Sequence, residues 1–178
     1  MSRLTLKSKF FKVFFLMIIV FCIVAGLCFK GHFYYIERKT FPFRHAGLNW
    51  SEISKEEMSY SDAVEYCSEI GGRLPEICEL RTLVINCPGT MMGGACGVSK
   101  YCTEIDCWNR DVCWSCSAAG DGRYSVFEDT EALWSSSILS GETDISWSLF
   151  FSLGLVSFNY QRSTFYVRCV NNTVKIKP

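Results

Sequence analysis

The stretch Ser59-Tyr-Ser-Asp-Ala-Val-Glu-Tyr-Cys-Ser-Glu-Ile-Gly-Gly-Arg-Leu-Pro75 decides the fold class. Ser59 with Asp62 three residues on resembles a capping box, and Tyr60, Ala63, Cys67 and Ile70 then recur on one helical face. Gly71 and Gly72 stop that helix. Pro75 suits the first position of a second helix, with Glu76 and Glu79 placed toward the positive end of its dipole. Leu74, Ile77, Leu80 and Val84 supply an apolar stripe, and Cys87-Pro88-Gly89 opposes continuation beyond it.

Toward the C-terminus the period changes. Short strand-like runs cover residues 132–137, 146–153, 155–160 and 164–170, with Gly154 marking a hairpin turn. In the last run Phe165, Val167 and Cys169 alternate with Tyr166 and Arg168, as in a strand with one buried face. Two helices followed by antiparallel strands, without alternating β and α units, predict an α+β domain. Between the two halves, Gly89 to Asp129 is rich in Gly, Cys, Ser and Asp and keeps neither period. A long irregular segment inside a compact domain is expected to be functional or to be held by other means. Cys87, Cys96, Cys102, Cys107, Cys113 and Cys116 offer that means, so residues 87–129 read as a disulfide-stapled insert.

Toward the N-terminus, residues 30–48 have no sustained period and read as a juxtamembrane linker leading into a domain at 49–178. Before them the apolar run VFFLMIIVFCIVAGLCF fills residues 13–29, about the length of the shortest helix that crosses a bilayer. Arg3, Lys7, Lys9 and Lys12 precede it, which makes residues 1–12 a basic cytoplasmic segment and 13–29 a transmembrane signal anchor, with a cleaved signal peptide as the other reading. Leu27 directly before Cys28 argues against lipidation of that cysteine. Flanking charge does not orient the anchor, because Lys30, Arg38, Lys39 and Arg44 match the basic residues on the near side.

Cysteine usage orients it instead. Of 11 cysteines, Cys22 and Cys28 lie in the apolar run and nine lie in residues 45–178, a density typical of an oxidising compartment. The reading is therefore a single-pass protein of the cell membrane, in contact with lipid through residues 13–29, whose C-terminal domain is extracytoplasmic. Residues 45–178 hold 10 basic and 17 acidic side chains, a net charge of −7, against 8 basic and one acidic before them. The net charge of zero is a cancellation, and an acidic domain argues against a nucleic-acid partner.

The ordered motifs Met58-Ser-Tyr-Ser-Asp-Ala-Val-Glu-Tyr-Cys67, Gly71-Gly-Arg-Leu-Pro75 with Glu79-Leu80, Trp134-Ser-Ser136, Trp147, Phe151, Gly154 and Tyr166-Val-Arg-Cys-Val170 resemble the C-terminal domain of the bacterial collagen-like adhesin (Lcl) family. They are also similar to the related domain of the Fibrobacter major paralogous proteins. Both resemble the C-type lectin fold. The resemblance covers roughly residues 50 to 171 and implies two helices, a small antiparallel sheet and adjacent chain ends. It implies an exported or surface-bound module, in some relatives an adhesin for glycans or other surface ligands. It also pairs Cys67 with Cys169, and both fall on buried faces of their elements; closing that loop would stabilise by about 4 to 5 kcal/mol in the chain-entropy model. The cysteine-rich insert lies outside the family pattern. The short Glu-Pro-Asn, Gln-Pro-Asp and Trp-Asn-Asp motifs of calcium-dependent sugar sites do not occur, so no such binding is implied.

Among candidate chemistries, catalysis is the weakest. The two histidines, His32 and His45, fall in or beside the linker, and a nucleophile–base arrangement would have to borrow from it. A formylglycine-generating type of enzyme shares a lectin-like fold, but its motifs are not matched. Glu128, Asp129 and Glu131 read as a solvated acidic run. Structural zinc wants two close ligand pairs, whereas the insert has the single pair Cys113-Trp-Ser-Cys116 and no histidine nearby. No cofactor or metal is expected. A thioredoxin-like site lacks its βαβ context. If Cys67 and Cys169 pair, seven cysteines remain in residues 45–178, so one thiol is left over for an intermolecular bridge. Trp134 and Trp147 fit core positions, while Trp108 and Trp114 in the insert are candidate ligand-binding residues. Asn49-Trp-Ser51 and Asn171-Asn-Thr173 fit glycosylation acceptors.

These readings converge on a membrane-anchored extracytoplasmic binding or adhesion module, non-catalytic, whose ligand is an unknown surface glycan or protein. The alternative is an envelope structural or assembly protein that uses insert cysteines for disulfide contacts.

Overall fold

The computed structural model describes residues 17, 20–28, 39–116 and 124–172. The chain divides into two compact units, Met1–Thr40 and Phe41–Pro178. In the first unit, residues 17 and 20–28 are helical and exposed. The rest of the expected 13–29 anchor lies outside the described residues, and among the described residues no helix is long and apolar enough to cross a membrane.

The second unit is an α+β domain built from two three-stranded antiparallel sheets. The expected linker gives way to folded chain at Phe41, where β1 (Phe43–His45) and β2 (Leu48–Trp50) form a hairpin. Its loop is Ala46-Gly47, with φ of 49° and 79°. Positive φ at both central residues gives the tight turn whose twist suits a two-residue hairpin, so the segment folds although its composition reads as linker. The last strand, β6 (Val170–Asn172), pairs with β2 and closes this sheet in the order β1-β2-β6. The beginning and end of the domain are thereby neighbours.

Helix α1 (Tyr60–Glu69) starts as its sequence predicts, with the Ser59 hydroxyl accepting from the Asp62 amide at 3.4 Å. It ends at Gly71, whose φ of +81° suits a residue without a Cβ. Helix α2 (Ile77–Thr82) is shorter than the apolar stripe suggests. Pro75 stays outside it, its carbonyl accepting from the Ser136 amide at 2.7 Å, and the helix is capped at Glu76 instead. At the other end Val84 leaves the helix to bridge Ser125. Tertiary backbone pairing takes both ends away from the helix.

The second sheet contains β3 (Ala132–Ile138), β4 (Ile145–Phe150) and β5 (Leu155–Tyr160) in sequential order. The strand expected at 164–170 is pared to isolated bridges at Phe165 and Tyr166, and β6 begins only at Val170. One apolar cluster joins Trp50, Ile77, Leu80, Leu83, Trp147, Leu149 and Val156; a smaller one joins Phe41, Ala63, Leu74, Trp134 and Val167 around Cys67 and Cys169. Trp134 and Trp147 are fully buried, as core positions require. Cys67 and Cys169 form a disulfide with Cα atoms 5.4 Å apart, tying α1 to the residue just before β6.

Two arginines, Arg81 and Arg168, are buried, which the pattern of their sequence neighbours does not signal. Alternation along 165–169 puts Arg168 opposite Val167 and Cys169, yet it is only 3% exposed. Its guanidinium donates to Asp129 twice, Nε to Oδ2 at 2.7 Å and Nη2 to Oδ1 at 2.6 Å, and also to the Ser51 carbonyl. The rings of Phe43 and Phe127 flank it at 5.2 and 4.9 Å. Asp129 is therefore not part of a solvated acidic run: Glu128 is exposed, but Asp129 is buried as the bidentate partner of Arg168. The left-handed φ of 62° at Glu128 turns the chain just before it. Arg81, the second case, organises the insert.

Candidate functional site

The insert is ordered between Cys87 and Cys116, and all six of its cysteines are paired within the chain: Cys87–Cys116, Cys96–Cys113 and Cys102–Cys107. The pairs Cys87–Cys116 and Cys96–Cys113 are nested, which folds the segment back on itself. Glycines permit the close approach this needs. A Cβ on Gly89 would lie 2.5 Å from the Val112 carbonyl oxygen, and one on Gly97 would lie 2.7 Å from that of Cys107. Residues Ile105–Cys107 form a 3₁₀ turn and Arg110–Cys113 form a single helical turn, α3, capped by the Asn109 side chain on the Asp111 amide at 2.8 Å.

Arg81 of α2 fastens this segment through its backbone carbonyls. It is 3% exposed and has three loop carbonyls as acceptors: Thr90 at 2.9 Å, Met91 at 3.0 Å and Val98. Burial lowers its pKa from the ordinary value. The guanidinium fork thus spends its donors on backbone oxygens that an irregular loop would otherwise leave unpaired.

The expected ligand residues Trp108 and Trp114 anchor the insert to the second sheet. Trp108 Nε1 donates to the Val156 carbonyl of β5 at 2.9 Å, and its ring meets the edges of Trp114 and Phe158 at 5.9 and 5.5 Å. Arg110 lies over the Trp114 ring at 4.6 Å. Both indoles are half-buried, and their contacts dock the insert on the second sheet.

Where the insert meets α2 and β3 the surface opens into a cleft of about 380 Å³, lined by Glu76, Lys100, Thr103, Ser136, Ser137 and Ile138. Three consecutive residues of β3 reach it, although a regular strand turns successive side chains to opposite faces. The pairing register of β3 with β4 shifts between Trp134 and Ile138. A bulge of this kind re-aims side chains. Ser137 Oγ accepts from the Ile77 amide at 3.0 Å, and with the Pro75–Ser136 bond this fixes the start of α2, and so Glu76, against the end of β3.

The insert supplies the opposite wall. The Thr103 carbonyl accepts from the Ser140 amide at 3.0 Å and from Trp147 Nε1 at 3.2 Å, while the Cys102–Cys107 disulfide encloses the residue on the chain side. Lys100 and Tyr101 form the tip of a turn pinned by reciprocal backbone bonds between Ser99 and Cys102 at 3.0 and 3.2 Å. Lys100 Nζ lies 4.6 Å from the centre of the Tyr101 ring, and its pKa is raised, first by its hydrogen bond to Tyr101. Ile138, 42% exposed, gives the cleft its apolar surface, while Tyr101, next to Lys100 at the turn tip, is 86% exposed.

The unpaired thiol of the domain is Cys78, buried on α2 beside this cleft. Its sulfur donates to Glu76 Oε2 at 3.4 Å. Burial first, then Glu76, pushes its pKa up, so it is held as a neutral thiol. A sulfur so covered is poorly placed to bridge to another chain. His45 is fixed in β1 with Nε2 2.8 Å from the Thr82 carbonyl and its ring against Phe127, so it faces backbone and an aromatic ring. Among the described residues no group of three His, Cys, Asp or Glu side chains is placed to hold a metal. Asn49 is buried in β2, which removes it as a glycosylation acceptor, whereas Asn171 Nδ2 donates to the Gly71 carbonyl at 3.3 Å and Thr173 lies outside the described residues.

Glu76 is legible in sequence only as an acidic residue at the start of α2, and the other cleft residues carry no signal of their own. Glu76 and Lys100 are 24 positions apart and Ser136 lies 36 further on; only the folded insert brings them together. No protein-family model, curated protein or solved structure matches the chain.

Proposed function

We propose that the chain is a non-catalytic binding or adhesion module of C-type-lectin-like type, held outside the cytoplasm by an anchor at residues 13–29. The observation that carries this reading is the construction of the insert. Three disulfides, the buried Arg81 and the Trp108 contact hold it so that Lys100 and Thr103 face Glu76 and β3 across an open cleft. Loops held rigid by a scaffold are where recognition surfaces are built. Four disulfides in one domain support an oxidising compartment. The bridge between α1 and the residue before β6, with the two chain ends in one sheet, supports the lectin-like reading of the motifs.

The assembly alternative has less support. Every insert cysteine is committed within the chain, and the odd thiol, Cys78, is buried.

The test is binding of purified full-length chain to glycan arrays and to cell surfaces, in the presence of a chelator. Trp108→Ala would detach the insert as well as alter its surface. Thr103→Lys, which fills the cleft while leaving the Thr103 carbonyl in place, is the cleaner variant. Chelator-resistant binding that Thr103→Lys abolishes is the expected result. Absence of binding to any surface would sink the proposal.

A further inference from the structure

Glu76 and Lys100 line the same cleft with opposite charges, yet they do not pair with each other. Among the described residues the ion pairs are Arg73–Glu79 and Arg168–Asp129. Neither cleft charge has an ion-pair partner of its own among the described residues, although Arg73, paired with Glu79, adds a favourable charge near Glu76. Glu76 accepts from the Glu79 amide in the capping box and from the weak thiol donor of Cys78, neither of which carries a positive charge, and Lys100 lies against the ring and hydroxyl of Tyr101. The neighbouring hydroxyls are uncommitted as well: Thr103 and Ser136 engage the protein through their backbone carbonyls and amides, as in the Ser140–Thr103 and Ser136–Pro75 bonds, while their hydroxyls take part in none of the hydrogen bonds described.

We propose, resting on the binding reading above, that this cleft takes a small zwitterion, with the ligand's ammonium at Glu76 and its carboxylate at Lys100. Covering a charged side chain with a ligand that does not match it costs free energy, whereas a charge-assisted hydrogen bond to the opposite charge recovers it. A neutral polyol would leave both side chains unmatched, and a singly charged ligand would leave one. A molecule carrying both charges matches both, and the hydroxyls of Ser136 and Thr103 complete its hydrogen bonding. The volume of about 380 Å³ falls at the small end of ligand sites, which suits a small molecule rather than a polymer segment. Because Glu76 and Lys100 are too far apart to pair, the matching ligand separates its charges by a short spacer. Ile138 presents the apolar surface against which that spacer packs.

A series of ω-amino acids of increasing spacer length tests this directly: glycine, β-alanine, γ-aminobutyrate and glycylglycine, titrated calorimetrically into the disulfide-intact full-length chain. The expected result is saturable binding with one optimum in the series. The N-acetyl and methyl-ester forms of the best member then bind at least about tenfold more weakly, as each removes one charged contact. Glu76→Gln and Lys100→Met are each expected to weaken it by a similar factor. Lys100 is exposed at a turn tip, so its replacement leaves the fold intact and keeps the test meaningful if Glu76→Gln disturbs α2. Binding that is indifferent to both substitutions would overturn the inference, as would no saturable heat from any member up to about 10 mM, where affinities become too weak for a specific site. In that second case, surface binding that Thr103→Lys still abolishes would leave the binding-module reading standing; loss of both would remove it too.

Discussion

Asp129→Asn separates a buried ion pair from a surface one within the same domain. The Arg168–Asp129 and Arg73–Glu79 pairs both close at 2.6 Å, but their side-chain exposures are 3% and 4% in the first and 45% and 19% in the second. Distance alone would value them equally. Burial does not: removing one partner of a buried pair strands the other charge and costs about 3 to 5 kcal/mol, whereas an exposed pair contributes at most about 1 kcal/mol. In a folded unit of this size each kcal/mol moves the melting temperature by about 3 to 4 °C. Asp129→Asn is therefore expected to lower the midpoint by about 10 to 20 °C, and Arg73→Met by no more than about 4 °C. Differential scanning calorimetry on the oxidised chain reads both. The double variant Asp129→Asn with Arg168→Met strands no charge and is expected to cost less than the sum of the two single changes. Equal shifts for Asp129→Asn and Arg73→Met would show that burial does not set the worth of these pairs.

Replacing Arg81 by Met leaves the Thr90, Met91 and Val98 carbonyls without their buried donor. Amide exchange, followed by mass spectrometry, is expected to accelerate selectively over residues 89–98 while α1 stays protected. Replacing both Cys67 and Cys169 by Ala opens a loop with a sequence separation of 102, and the unfolding free energy is expected to fall by about 4 to 5 kcal/mol by denaturant titration. Cys78 is expected to resist alkylation in the native chain and to react at once on unfolding. Its folded pKa is raised by burial, so its contribution to stability is fully present below the unfolded thiol pKa of about 8.5. That contribution is lost as pH rises through the folded value. The stability difference between the parent chain and Cys78→Ala should be constant at neutral pH and change only in the alkaline range.

Local periodicity made α1, β3 and β5 legible. The capping residue Ser59, the Gly71 stop and the Gly154 turn all act within a few residues of themselves. What periodicity missed was set by partners far away in sequence. Arg168 breaks its strand alternation because Asp129 and two aromatic rings are waiting on the face that would otherwise be open. Helix α2 is short because Ser136 holds Pro75 at one end and Ser125 takes Val84 at the other. The hairpin at residues 43–50 hides in linker-like composition because it depends on a two-residue turn and a strand more than a hundred residues on. The insert was recognisable from its cysteines, but the cleft was not. Glu76, Lys100 and Ser136 become neighbours only after nested disulfides and a β-bulge have acted, and neither leaves a mark in hydrophobic pattern. Trp108 and Trp114 drew attention for their residue type, and packing uses that same apolar area to seat the insert.

A disulfide-stapled insert, fixed on an α+β core, forms one wall of the cleft. Peptide mapping of the unreduced full-length chain by mass spectrometry tests it most directly. Linked peptides are expected for Cys67–Cys169, Cys87–Cys116, Cys96–Cys113 and Cys102–Cys107, with Cys78 recovered as a free thiol. Free thiols throughout residues 87–116, or an insert cysteine linked to Cys78 or to another chain, would contradict it.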